Sequence, residues 1–326
     1  MSWTNFSNPA KHTILIREPF IEKYTLTIVT DIMAGNLPIK SKTEIRWQLK
    51  VNRVEADYTD IELITLDNQL LESNNPMVKD MAGMSQAFSR MYNELQVRVD
   101  STGKVLQILN IDLIRKKWDQ TKAEITDLQE TNPAIKNIIS LNDELFITPD
   151  KMALAVQNNE FFMIYYHHFY GLSLPGTTKS YVQRTVLNTA DLSWRYNVSN
   201  VSDTYDTGDL YVEVDGIVNT STGGGWAKEA YKAFSHLDLA SLKPDFEERG
   251  VYRFDKSSGM LVSADLLKKE MVHPQLLHAT ISYHITSDTA PLRTQETQTK
   301  QTQSPLTPPV APPGRRAGGF SILADE

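Results

Sequence analysis

The sequence predicts an α+β protein in which two related antiparallel β-rich halves flank a helical insert. Three observations carry this: an internal match at a fixed offset, strand alternation inside the matched segments, and helical spacing between them. Trp47/Trp194, Val51/Val198, Val54/Val201, Tyr58/Tyr205 and Leu63/Leu210 all lie 147 residues apart with no gap. A fixed internal offset of this kind points to a duplicated folding unit. Ala87-Phe88 returns as Ala233-Phe234, each in a short helix-like segment, and Val97–Val105 resembles Tyr252–Met260, so the matches keep their order.

On this reading residues 1–12 are an N-terminal arm and 13–110 the first β-rich repeat. The helical insert takes 111–160, the second repeat 161–287, and a Thr/Gln/Pro-rich tail 288–326. In the first repeat Tyr24, Leu26 and Ile28 alternate with polar neighbours. Ile45, Trp47, Leu49 and Val51 do the same against Arg46, Gln48, Lys50 and Asn52, the pattern of an antiparallel strand with one wet face. Asp100-Ser101-Thr102-Gly103 reads as a hairpin turn, with the glycine placed to take positive φ.

The insert changes period. Ile111, Ile114, Trp118, Ile125 and Leu128 fall on helical spacing that stops before Asn132-Pro133. A short second helix is expected over 134–141, and Thr148-Pro149 resembles an N-cap followed by proline at the first helical position. Phe161 to Tyr170 is an unbroken aromatic and aliphatic run, read as a buried strand. The second repeat returns to alternation at Leu192, Trp194, Tyr196 and Val198 and at Leu210, Val212 and Val214. Asp255-Lys256-Ser257-Ser258-Gly259 supplies its hairpin turn. From about Ser287 the composition turns to Thr, Gln and Pro, which cannot bury enough apolar surface to fold and predicts disorder.

Composition narrows the function classes. A net charge of −7 without a Lys/Arg cluster argues against nucleic acid, whose binding draws on counterion release. With no cysteine there is neither a disulfide framework nor a Cys-ligated zinc site. No apolar run approaches the ~20 residues of a transmembrane helix. The first residues carry no leader pattern, so the expected location is the cytoplasm, or the periplasm if a leader has been removed.

Each candidate site has a plain structural reading. His167 and His168, adjacent on a strand, would point to opposite faces and could not share one ion. The Asp203–Asp209 segment lacks the spacing of an EF-hand loop and aligns with a strand-to-strand turn near Ala56. Thr222-Gly223-Gly224-Gly225-Trp226 lacks the Lys-Ser/Thr pair of a phosphate-binding loop. No catalytic motif, cofactor fingerprint or metal-ligand spacing stands out, so no catalytic, cofactor-binding or metal residue is assigned. Two features remain. The proline-rich spacer 305–313 leads to Phe320, Ile322 and Leu323, a short apolar segment suited to docking on a protein partner. Trp47 and Trp194, on matched inner faces, suggest an apolar groove for a lipid-like ligand.

The phrase Gly250-Val251-Tyr252-Arg253-Phe254-Asp255-Lys256-Ser257-Ser258-Gly259-Met260-Leu261-Val262, with His278–Tyr283 after it, resembles uncharacterised β-rich proteins of Bacteroidetes-type bacteria. Those relatives are often lipoproteins. The resemblance implies a curved antiparallel sheet and no known activity. Together these readings favour a non-catalytic interaction or structural subunit of a bacterial multiprotein assembly. The alternative is a carrier that holds a lipid-like apolar ligand on a curved β-sheet.

Overall fold

The computed structural model describes residues 11–290, apart from 77, 80–81, 83–89, 126–132, 205–207, 235–236 and 239–241. Strand makes up 51 % and helix 23 %, so the protein is a β-rich α+β fold. The long strands are β2 (Ile21–Ala34), β3 (Leu37–Val54), β4 (Tyr58–Ser73), β5 (Glu94–Asp100) and β6 (Val105–Ile108), then β10 (Asp191–Thr204), β11 (Asp209–Val218), β12 (Asp245–Asp255), β13 (Leu261–His273) and β14 (Leu277–Ser287). Between them lie helices α1 (Ile111–Ile125), α2 (Pro133–Ile147), α3 (Pro149–Gln157) and α4 (Glu160–Tyr165), then the short strands β7 (Ser173–Leu174), β8 (Gly176–Thr177) and β9 (Tyr181–Arg184). Helix α5 (Gly224–Ala230) follows β11, and a two-residue β1 (His12–Thr13) pairs with β7.

Twelve strands form one sheet in the order β6-β5-β4-β3-β2-β14-β13-β12-β11-β10-β8, with β9 also on β10. Every pairing in it is antiparallel. Two meanders are thus joined by β14 against β2, where Tyr283 faces Ile28 and Ser287 faces Tyr24. The alternation read from sequence decides which side is dry. Tyr24, Leu26, Trp47, Leu49, Val97, Tyr196, Val212, Tyr252 and Ile285 are all buried on one face.

What fills that face is the aromatic run from Phe161 to Tyr170, and here the sequence expectation is corrected. Phe161–Tyr165 is helical and capped by Asn159, whose side chain accepts a hydrogen bond from the Phe161 N–H at 2.9 Å. A short run buried on every side has no wet face to reveal its period. Consequently His167 and His168 lie in the turn after a helix, not on a strand.

This helix and its turn link the two meanders. Phe161 packs edge-on against Trp47 of β3 and Tyr24 of β2, while Phe169 meets Tyr252 and Phe254 of β12. Each such ring contributes on the order of 1.5–3 kcal/mol by leaving water. The tyrosines also tie the backbone. The Tyr24 hydroxyl donates to Leu261 O at 3.0 Å, Tyr165 accepts from Leu261 N at 3.2 Å, and Tyr170 accepts from Ile16 N at 2.7 Å.

The remaining helices follow the sequence with shifted limits. Ile114, Trp118 and Ile125 are the buried stripe of α1. The expected short helix extends to Ile147. Pro149 opens α3, with Thr148 at its N-cap making no side-chain cap bond. Ala87 and Phe88 lie outside the described residues, whereas Lys232–Phe234 forms a turn of 3-10 helix. Of the tail, Asp288 N donates to Lys23 O and Thr289 Oγ1 to Glu22 Oε2, so residues 288–290 are tied to β2. Phe320, Ile322 and Leu323 lie outside the described residues.

The two predicted hairpin turns share one construction. Asp100 Oδ1 accepts from Thr102 N and Lys104 N, at 2.8 and 3.0 Å, and Asp255 Oδ1 from Ser258 N at 2.7 Å. Gly103 and Gly259 follow at φ +79° and +75°. The 147-residue match fares unevenly. It carries the bulge between Val51 and Arg53 onto the bulge between Val198 and Asn200. Beyond the bulge it slips. Val51 faces Ile61, but Val198 faces Val214 rather than Gly208, because the β10–β11 hairpin turns later in its strands.

Candidate functional site

Two concave regions lie on opposite sides of the second meander. The first is on the side away from the core, across β11, β12, β13, β14 and β2. It is a groove of about 490 Å³ whose apolar floor includes Val29, Val251 and Leu267. Val29 and Val251 are 46 % and 48 % exposed, unusual for β-branched residues in central strands. Alternation explains them. Val251 and Leu267 occupy the outward positions between buried Gly250 and Tyr252 and before Lys268. The polar wall holds Glu213, Asp215 and Arg249, with Asp265 and His284 paired at 2.6 Å.

The second region opens on the inner face beside α4, whose Met163 contacts its Lys268. It measures about 200 Å³, with Leu192, Trp194, Phe246, Ile281 and Tyr283 as apolar walls. Its charged side chains include Glu248 of β12 and Lys268 of β13, which face each other across the ladder. Lys268 Nζ lies 3.3 Å from Glu248 Oε1, with the two side chains 13 % and 5 % exposed. Nζ also contacts the Met163 sulfur at 3.6 Å. His167 Nε2 stands 3.7 Å from the same carboxylate oxygen, beyond hydrogen-bond distance, and both its ring nitrogens are buried without a partner.

The electrostatics follow from burial and pairing. Burial would raise the Glu248 carboxyl, but Lys268 beside it outweighs this and holds it down at about 2. Burial lowers His167 below the ordinary histidine value, against the pull of Glu248. Burial, with His167 next to it, lowers His168 to about 3; its ring stacks on Tyr181 with centroids 3.8 Å apart. At neutral pH both histidines are therefore uncharged and the Glu248 carboxyl is ionised. Glu270, two residues along β13, is satisfied differently. Its carboxylate accepts from the Tyr231 hydroxyl and from Leu187 N, each at 2.7 Å.

The sequence-derived candidates are placed as follows. Trp47 is 2 % exposed beneath Phe161 and Trp194 is 6 % exposed beside Tyr196, so the matched tryptophans sit in the core; Trp194 also borders the inner pocket. Asp203 pairs with Lys256, and Asp209 with Arg253, at the β10–β11 hairpin. Gly223 is the N-cap of the seven-residue α5. Among the described residues no group of three or more His, Asp or Glu side chains is placed to hold a metal ion. No described helix is long and apolar enough to cross a membrane. Sequence reasoning passed over Glu248 and Lys268, although a signal existed: both occupy inward positions of alternating strands, where a charge must find a partner.

No protein-family model matches the chain, and no curated protein matches it. Among solved structures, one describing lipid–protein interactions in lipovitellin superposes with a TM-score of 0.37 at 12 % identity, over 82 % of this chain and 25 % of that one. DynF, from the dynemicin biosynthesis pathway of Micromonospora chersina, superposes with a TM-score of 0.20 at 6 % identity, over 86 % of this chain and 85 % of that one.

Proposed function

We propose that the protein is a non-catalytic carrier that holds a lipid-like apolar ligand on its curved sheet. The supporting observation is the outer groove, where Val29, Val251 and Leu267 form an apolar floor on the side away from the core. Its volume lies within the ~300–1,000 Å³ range of ligand pockets. Native mass spectrometry of gently extracted protein should show lipid-like adducts, and the V29E/V251E variant should lose them. A wild-type protein free of adducts that also fails to take up a fluorescent apolar probe would end this reading.

An interaction subunit is the second reading, favoured by the sheet edges. Edge strand β6 exposes Leu106 (51 %) and edge strand β9 exposes Val182 (73 %). Edge strands that present exposed apolar side chains suit docking by a partner. Light scattering after size exclusion, with L106K and V182K beside the wild type, separates a self-associating edge from an inert one. We further read the chain as a duplication with 111–160 as an inserted helical segment. The paired Asp-capped turns at Asp100 and Asp255 and the coincident bulges in β3 and β10 support that history.

A further inference from the structure

The geometry points to a second ligand site, distinct in chemistry from the outer groove: the inner pocket binds a small carboxylic acid with an aromatic or short aliphatic body. Lysine carries three N–H donors. At Lys268 one meets Glu248 and one the weak acceptor sulfur of Met163, so the ammonium keeps donor capacity at the pocket wall. The acidic and basic side chains around the pocket pair off, Lys268 with Glu248, Lys269 with Glu247 and Arg184 with Asp191, so recognition rests on the remaining Lys268 donor. An anionic head group takes that donor in a charge-assisted hydrogen bond, stronger than a neutral one. Trp194, Phe246 and Tyr283 offer flat apolar walls to the body. A volume of about 200 Å³ excludes a full-length lipid and suits a molecule the size of phenylacetate.

Glu248 has a defined part in this arrangement. It holds Lys268 extended across the ladder, and its second neighbour His167 stays uncharged and adds no cation beside Lys268. Lys268 is therefore the group that selects a carboxylate over an alcohol of the same shape.

The test is calorimetric titration of the full chain at pH 7 with phenylacetate and with 2-phenylethanol. The expected result is at least tenfold tighter binding of phenylacetate, a preference that disappears in the K268M/E248M variant. That variant replaces both charges at once and so leaves no buried ion unpaired. If its melting curve shows that it does not fold, I281W, on the cross-strand neighbour of Lys268, fills the pocket while keeping both charges and should abolish phenylacetate binding. Equal affinity for the two probes, no binding of phenylacetate, or a preference that survives these variants overturns the proposal. None of those results bears on adducts in the outer groove.

Discussion

Glu248 and Lys268 face each other from adjacent strands at 3.3 Å, on the inner face of a sheet otherwise packed with aromatic rings. Taking one partner away strands the other charge in a buried setting, which costs roughly 3–5 kcal/mol, whereas replacing both by apolar groups is often neutral or stabilising. K268M should therefore unfold at much lower urea than wild type, and K268M/E248M should recover most of the loss. Additive single-variant effects in a double-mutant cycle would refute the coupling.

Acid should weaken the protein from near neutrality. His168 titrates at about 3 in the fold against an ordinary 6.5, so between these values the unfolded chain holds a proton that the native state lacks. Its stabilising contribution is complete above 6.5 and declines as pH falls, at ~1.4 kcal/mol per pH unit. His167 is shifted the same way by burial. Glu248, held at about 2 against 4.5, adds a second loss as pH falls from 4.5 towards 2. Thermal melts from pH 8 to pH 4 should show the decline, and H168F, which keeps a ring against Tyr181, should flatten it. An unchanged slope in H168F would assign the acid sensitivity elsewhere.

Glycine is needed at the β12–β13 turn for space as well as for backbone angle. A Cβ at Gly259, where φ is +75°, would stand 1.7 Å from the Leu15 carbonyl oxygen. Gly208 has a similar φ of +69° but nothing within 4 Å. G208A should cost on the order of 1–2 kcal/mol of backbone strain alone, and G259A clearly more, because the segment at Leu15 must move. Equal losses in chemical denaturation would show that the Leu15 segment yields freely.

The Arg–Asp pairs on the outer face should rank by burial. Arg253 reaches Asp209 at 2.5 Å, with side chains 15 % and 0 % exposed, and Arg98 reaches Asp60 at 2.7 Å, with 30 % and 14 %. R253M should lose about 3 kcal/mol or more and R98M less, since water can screen the more open pair. Urea midpoints for the two variants decide it; the reverse order would mean that burial does not govern these pairs.

Much of the architecture was legible in local pattern. Alternation at Tyr24–Ile28, Ile45–Val51 and Leu192–Val198 marked the strands and their dry face, and the Asp-to-Gly phrases marked two hairpins with their capping carboxylates. The ungapped match misled at Leu63 and Leu210. Leu63 faces Leu49 across its hairpin, while Leu210 faces Asp203, because one turn comes earlier in its strands than the other. Periodicity records which face is buried and does not record where a long hairpin turns.

By itself the sequence determined the buried face of the alternating strands, where the two Asp-to-Gly hairpins turn, and that helices separate two strand-rich stretches, since these depend on neighbours a few positions away. Tertiary structure alone decided the rest. It set β14 against β2, made the Phe161–Tyr165 run a helix wedged between both meanders, and brought Glu248, Lys268 and His167 together from three segments. The physical reason is common to all three. A segment buried on every side, or a charge whose partner lies on another strand, takes its state from contacts between residues far apart in the chain.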